Sequence, residues 1–366
     1  MIHVFIGTKA QLIKTAPVMR ELSNRAVQYR WIDSGQHRDF TSRQNGLLDN
    51  REPDLSLSTV LEDVASLRRG VTWSGRLLLF WLFRPNWIRE VVFGGQDGIC
   101  IIHGDTFSAL LGALFARRVG IAVAHLESGL RSGSYPNPFP EELIRVLCIR
   151  MSQLLLAPDK QAVENLQKLK AKGKIVNTEG NTIIDALRLH ASQSDNSEDR
   201  QGKQSYVLAT CHRLETIRSK SRLSTVIDAL NLVAQSRRVL FVQHPPTQRS
   251  MEKFGLGDRI SDSIAVLPLQ DYFGFIDLIQ NADFLMADGG TIQEECAALG
   301  TPLLILRSRS ERLDGIGTSA MFADFKLENV KKFLEKLPEL RSTNTAMDGP
   351  SPSEIVADEL VAFDKA

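Results

Sequence analysis

Cysteine is scarce in this chain: Cys100, Cys148, Cys211 and Cys296 are the only four in 366 residues, and none share a C-x-x-C spacing. That scarcity excludes a disulfide scaffold and predicts a reducing, cytoplasmic setting, with Cys100 and Cys296 read as small buried hydrophobes. The seven histidines show no zinc-ligand spacing with the cysteines, so no metal is expected. An excess of one charge is also missing. There are 44 Lys and Arg against 43 Asp and Glu, for a net charge of +1. This balance gives no reason to expect a nucleic-acid partner. No apolar run approaches the ~20 residues that a bilayer span requires. The chain opens directly in a strand pattern at Ile2–Ile6, which predicts no signal peptide. No GxGxxG follows that strand, so a dinucleotide site is weakly supported, and the absence of GxxxxGK[ST] excludes a P-loop.

What is present is an alternation of strand and helix signals. Short apolar runs at residues 2–6, 29–33, 98–103, 121–125 and 154–157 end in Gly, Asp, His or Pro. They read as buried parallel strands, with helices at Gln11–Arg25, Thr106–Val119, Glu141–Met151 and Asp159–Lys170 between them. The second half repeats the pattern, with strands near Ile175–Thr178, Val207–Thr210, Val239–Gln243, Ile264–Leu267, Phe284–Ala287 and Leu303–Leu306. The length exceeds what a single core supports, so two domains are expected. The fold class is therefore α/β, with two Rossmann-like doubly wound domains and an interdomain cleft. The predicted N-terminal domain covers residues 1–172 and the C-terminal domain residues 173–349, with a helix in 350–366 packing back on the first. Leu77–Phe83 reads LLLFWLF between Arg76 and Arg84, with Trp73, Trp81 and Trp87 around it. Three readings of residues 73–87 stay open: a core helix, an apolar patch for a protein partner, or a weak membrane-surface contact.

The chemistry concentrates in His103-Gly104-Asp105-Thr106, His125-Leu126-Glu127-Ser128-Gly129-Leu130-Arg131 and Pro140-Glu141-Glu142. Ligands of open α/β sheets bind beyond the carboxyl ends of the strands. Asp105, Glu127 and Glu141 fall at such ends and are candidates for acid and base work. The plainer alternative has Asp105 capping the next helix and Glu127 solvating a loop. In the second half, Asp288-Gly289-Gly290-Thr291 leads from a strand into a helix whose N-terminus favours a phosphate. Glu295, one turn in, can accept from ribose hydroxyls, and Phe275 either stacks a base or sits in the core. His212, at a strand end, can donate to a leaving phosphate oxygen. His244, held by two prolines, is placed similarly or is structural. Lys9 and Lys14 flank the first turn, with Lys14 either aimed at the ligand or solvated on its helix.

The stretches HGDT, HLESGLRSG, PFPEELIR, EGNTIIDAL and GGTIQEE, in that order, resemble the UDP-N-acetylglucosamine 2-epimerase family from about Ile6 to Arg312. The resemblance implies a GT-B-like fold in which UDP binds mainly to the C-terminal domain, with no cofactor. It implies anti elimination of UDP to a 2-acetamidoglucal and re-addition, interconverting UDP-GlcNAc and UDP-ManNAc for surface polysaccharide synthesis. By the same resemblance, Asp105, Glu127, Glu141 and His212 match catalytic positions. Lys14, Arg145, Phe275 and Glu295 match substrate contacts, and Lys9, His244, Gly289, Gly290 and Thr291 are expected substrate contacts from their places at the strand ends and turns rather than as matches. Gln36-His37-Arg38 match a segment that binds an activating UDP-sugar in many bacterial members. A homodimer is implied by analogy alone. The chain departs from the family's GTRPEAIK at Lys9 and Gln11, and from its DSGGIQEE at Gly289 and Thr291. The alternatives are a hydrolysing 2-epimerase, an epimerase of a related UDP-amino sugar, a GT-B glycosyltransferase and a weakly active partner protein. The retained carboxylates oppose the last two.

Overall fold

Among the described residues, thirteen short strands form two parallel sheets. In this computed structural model, residues 1–36, 47–48, 51–57, 81–131, 140–193, 205–310, 314–340 and 347–364 are described. The candidate residues His37 and Arg38, and residues 73–80 of the apolar segment, lie outside them. The chain divides into two units: Met1–Ala186 with Pro350–Ala366, and Leu187–Gly349.

The first unit holds strands β1 (Ile2–Ile6), β2 (Tyr29–Asp33), β3 (Leu55–Ser56), β4 (Ile99–His103), β5 (Ala122–Leu126), β6 (Leu154–Ala157) and β7 (Lys174–Asn177). They lie in the order β3-β2-β1-β4-β5-β6-β7. Every ladder is parallel. Parallel strands need covered faces, which explains their near-continuous apolar runs. Phe5, Ile102, Phe115, Val123, Ile144 and Cys148 share one buried cluster. The helix Lys9–Asn24 begins at a capping box: the Thr8 hydroxyl accepts from the Gln11 N–H, and the Gln11 side chain accepts from the Thr8 N–H. The sequence reading starts the C-terminal domain at residue 173, but β7 is the last strand of the first sheet, pairing Leu154–Ala157 with Lys174–Asn177. The division falls later, inside the helix Ile183–Gln193.

The helix Pro352–Asp364 packs against the helix Lys9–Asn24. The α-amino group of Met1 pairs with Asp364 at 2.7 Å, and Arg25 pairs with Asp358. From the apolar segment, Trp81 Nε1 donates to the Leu114 carbonyl at 3.0 Å, and Phe83 is 73% exposed. Among the described residues no helix is long and apolar enough to cross a membrane.

The second unit holds β8 (Val207–Cys211), β9 (Val239–Gln243), β10 (Ile264–Leu267), β11 (Phe284–Ala287), β12 (Leu303–Ile305) and β13 (Ala320–Phe322). Their order is β10-β9-β8-β11-β12-β13, again all parallel. The winding direction reverses between β1 and β4 in the first sheet and between β8 and β11 in the second. Such reversals open a crevice at the carboxyl ends of the strands, where ligands of this fold bind.

Candidate active site

In the first unit the turn after β1 passes so close to β2 that only glycine fits. A Cβ on Gly7 would stand 1.7 Å from the Ser34 Oγ. Gln11 then ties this turn to the one after β4. Its Oε1 accepts from the Gly7 and Thr8 N–H groups at 2.9 and 3.2 Å, and its Nε2 donates to the His103 carbonyl at 2.7 Å and the Thr106 hydroxyl at 2.8 Å. The amide uses acceptor and donor together, which a carboxylate at this position cannot do. Gln36 braces the same region, its Oε1 accepting from the Ser108 hydroxyl at 2.6 Å.

Thr106, not Asp105, caps the helix Phe107–Arg118, accepting from the Ala109 N–H at 3.1 Å. Asp105 is thus released from the capping role and pairs with Arg145 Nη2. Nη1 of Arg145 donates to Glu142 at 2.6 Å, and Arg131 Nε donates to the other oxygen of Glu142. Glu142 is fully buried and Arg145 is 5% exposed. Glu141 is exposed at the first turn of the helix Glu141–Met151, with no hydrogen bond or ion pair among the described residues. Glu142 and Arg145 share the inward face by their i,i+3 spacing. Spacing alone does not separate the two adjacent glutamates, since Glu141 stands i,i+4 from the same arginine; burial does.

Glu127 follows β5 with φ of 62°. This left-handed conformation costs a non-glycine residue ~1 kcal/mol or more and is sustained by its surroundings. Its Oε1 accepts from Lys14 Nζ at 2.6 Å and from Asn181 Nδ2 at 2.6 Å. Lys14 is 2% exposed, so it is not solvated on its helix but buried against a carboxylate. His103 Nε2 stands 4.0 Å from Glu127 Oε2. Below them, fully buried His125 faces the Gly104 carbonyl at 2.8 Å and the Ser128 hydroxyl at 3.2 Å. Burial lowers the His125 pKa to about 4. The ring is therefore neutral, with Nε2–H donating to Gly104 and Nδ1 accepting from Ser128. β4 and β5 are neighbours in register, so Asp105 and Glu127 extend from adjacent strand ends, each paired to a buried cation.

The second unit gathers a different set. Buried Asp288 follows β11, and its two oxygens accept from the backbone N–H groups of His212 and Arg213, both at 3.0 Å. This fixes the turn after β8. The His212 ring stacks on His244, which follows β9, with centroids 4.6 Å apart and planes 23° apart. Burial lowers the His212 pKa, assisted by Arg213 and opposed by Asp288. The helix Gly290–Leu299 starts at Gly289 with no side-chain cap, leaving first-turn N–H groups for other acceptors. Thr291 is partly exposed beside them. Glu295 is buried close to the Tyr272 hydroxyl, and burial followed by the Glu295 charge raises that phenol's pKa well above its usual value. Phe275 is half-buried on the helix Tyr272–Gln280. Lys9 is half-buried at the first turn of its helix in the first unit. Among the described residues no cluster of His, Cys, Asp and Glu is placed to hold a metal ion.

The geometry draws in residues that the sequence reading did not assign: Glu142, Arg131, Asn181 and Asp288. Asn181 carries a local signal, a polar residue just before a helix, but its bond to Glu127 is 54 positions away and invisible to spacing.

A sequence profile described as UDP-N-acetylglucosamine 2-epimerase matches residues 20–353. The chain is 28% identical over 352 residues to the UDP-N-acetylglucosamine 2-epimerase of Methanococcus maripaludis, covering 92% of this chain and 91% of that one. It is 30% identical over 345 residues to the enzyme of the same name from Bacillus subtilis, covering 90% and 85%. The crystal structure of Methanocaldococcus jannaschii UDP-GlcNAc 2-epimerase, in complex with UDP-GlcNAc and UDP, superposes with a TM-score of 0.82, 25% identity and 99% coverage of both chains.

Proposed function

The chain belongs to the UDP-N-acetylglucosamine 2-epimerase family, and from that premise we propose that it interconverts UDP-N-acetylglucosamine and UDP-N-acetylmannosamine as part of surface polysaccharide precursor synthesis. The observation that carries this reading is the pair of carboxylates at adjacent strand ends, Asp105 and Glu127, each ion-paired to a buried cation, Arg145 and Lys14.

The sugar C2 proton is only weakly acidic, so its loss must be coupled to departure of UDP. In the proposed reaction a carboxylate takes the C2 proton as the C1–oxygen bond breaks toward UDP. A C1–C2 double bond forms, giving a 2-acetamidoglucal. Re-addition of UDP to C1, with a proton delivered to C2 from the opposite face, yields the epimer. Two carboxyl groups in separate environments suit this demand, since acid and base must exchange roles between the half-reactions. Asp105, Glu127 and Glu141 are the proposed acid–base groups. Arg145 and Lys14 hold charge where the carboxylates need it. In the second unit, His212, His244 and the open first turn at Gly289-Gly290-Thr291 are proposed to take the diphosphate; in the first unit, Lys9 is proposed as a further substrate contact. Phe275 and Glu295 are proposed for uracil and ribose. Gln36, His37 and Arg38 are proposed to bind an activating second nucleotide sugar.

The test is incubation with UDP-N-acetylglucosamine in deuterium oxide, followed by proton NMR. Deuterium at C2 and appearance of the manno epimer are expected. The Glu127→Gln variant should lower exchange by a factor of about 10²–10⁴. Free sugar with UDP as the only products would replace the reading by a hydrolysing one. Full exchange in Glu127→Gln would refute the assigned chemistry.

A further inference from the structure

Asn181 occupies the turn between β7 and the helix Ile183–Gln193, and its side chain faces two ways. Its Oδ1 accepts from the Ile183 N–H at 3.1 Å, capping the helix, and its Nδ2 donates to Glu127 Oε1 at 2.6 Å. The same oxygen of Glu127 takes the Lys14 ammonium, also at 2.6 Å. One carboxylate oxygen is thus gripped from two directions by donors on different elements. The Glu127 backbone is itself held in a left-handed conformation. The helix cap fixes the amide so that its NH₂ can point only at the carboxylate, because the Ile183 N–H demands the oxygen end.

We propose that Asn181 is a positioning residue for proton transfer by Glu127, through which the start of the Ile183–Gln193 helix sets the carboxylate's orientation and affinity for a proton. This rests on the 2-epimerase reading above. Lys14 supplies a charge, which a mobile carboxylate could follow; Asn181 supplies a direction. With both donors on Oε1, the carboxyl plane is set, and Oε2 is the oxygen presented toward Gly104, where a Cβ would stand 3.5 Å from it. Proton transfer is steeply sensitive to such placement. The helix that bears this cap is also the one inside which the chain passes from the first unit to the second. A change at the start of that helix is therefore felt by Glu127 through a single side chain.

Two substitutions separate the cap from the contact. Asn181→Asp keeps a good helix cap but replaces the donor by a like charge, which raises the pH at which Glu127 takes a proton. Asn181→Ser keeps a capping hydroxyl and removes the donor without adding charge. The full-length protein and both variants are compared in the deuterium assay from about pH 5.5 to about pH 9, together with thermal melting. Both variants should fold, with KM within about threefold of the parent and kcat lower by at least about tenfold. In Asn181→Asp the pH limb absent from Glu127→Gln should move to higher pH; in Asn181→Ser, which loses only a neutral donor to the charged form, it should move the same way by less. A kcat within about twofold of the parent in both variants, a loss confined to KM, or an unmoved limb in Asn181→Asp overturns the proposal. If the parent exchanges no deuterium, the 2-epimerase reading fails by itself. Difference infrared spectroscopy against Glu127→Gln then decides Asn181: a raised Glu127 titration in Asn181→Asp supports the contact, and an unchanged one overturns it.

Discussion

Two adjacent glutamates should respond to the same substitution very unequally. Glu142 is fully buried and accepts from both Arg131 and Arg145, whereas Glu141 is exposed. Glu142→Gln preserves volume, so no cavity forms and the effect is electrostatic. It replaces two charge-assisted hydrogen bonds, worth ~1.5–3 kcal/mol each, by at most one neutral acceptor, and it turns an amide donor toward a guanidinium. Part of this is recovered: Arg145 keeps Asp105, and the Arg131 side chain is 14% exposed and can draw on water. The net cost should be about 3 kcal/mol, at the lower end for breaking a buried pair. All four tryptophans, at positions 31, 73, 81 and 87, belong to the first unit, so urea unfolding followed by tryptophan fluorescence reports on that unit. With an m-value near ~2 kcal/mol/M, the midpoint should fall by about 1.5 M. Glu141→Gln should stay within ~0.5 kcal/mol, about 0.25 M. A shift below about 0.3 M for Glu142→Gln, or an equal shift for Glu141→Gln, would refute the assignment of the buried network to Glu142.

Acidification should destabilise the first unit through two buried histidines. Burial lowers the pKa of both His3 and His125 to about 4, from an ordinary value of 6.5. The unfolded chain binds those protons first, so stability is fully present above about pH 6.5 and is lost as pH falls toward 4. The loss is roughly 2–3 kcal/mol per histidine, and a flat urea midpoint across that window would contradict it. Gly7→Ala should abolish the turn after β1, because its Cβ would meet the Ser34 and Ser108 hydroxyls at 1.7 and 2.4 Å. A stability loss above ~2 kcal/mol is expected from such overpacking, and near-parental melting would show that the turn relaxes freely.

The strands were legible because parallel strands buried on both faces leave dense apolar runs. Tyr29–Asp33, Leu154–Ala157, Val239–Gln243 and Phe284–Ala287 occur where those runs lie. The two-residue β3 offers no periodicity to read, and Lys174–Asn177 looks alike whether it ends one domain or begins the next. Only its pairing with β6 decides. The candidate carboxylates were legible as strand-end residues, since topology forces loops to those ends. Their partners were not. The Lys14–Glu127 pair joins positions 113 apart, and the Arg145–Asp105 pair positions 40 apart, distances across which sequence spacing carries no geometry. The Asp105 alternative as a helix cap fell to its neighbour Thr106, one residue on, a distinction that backbone conformation makes and composition does not.

The helix Pro352–Asp364, packed on the helix Lys9–Asn24 and paired to Met1, gives the molecule an order of assembly in time. During synthesis residues 1–186 leave the ribosome before the second unit, yet they belong to a unit completed only when Pro350–Ala366 has followed it. The second unit is one uninterrupted stretch, Leu187–Gly349, and has all its strands in hand earlier. The half that is translated first is thus the half that finishes last, and a nascent chain stalled near residue 349 carries a completed second unit beside a first unit still lacking its closing helix.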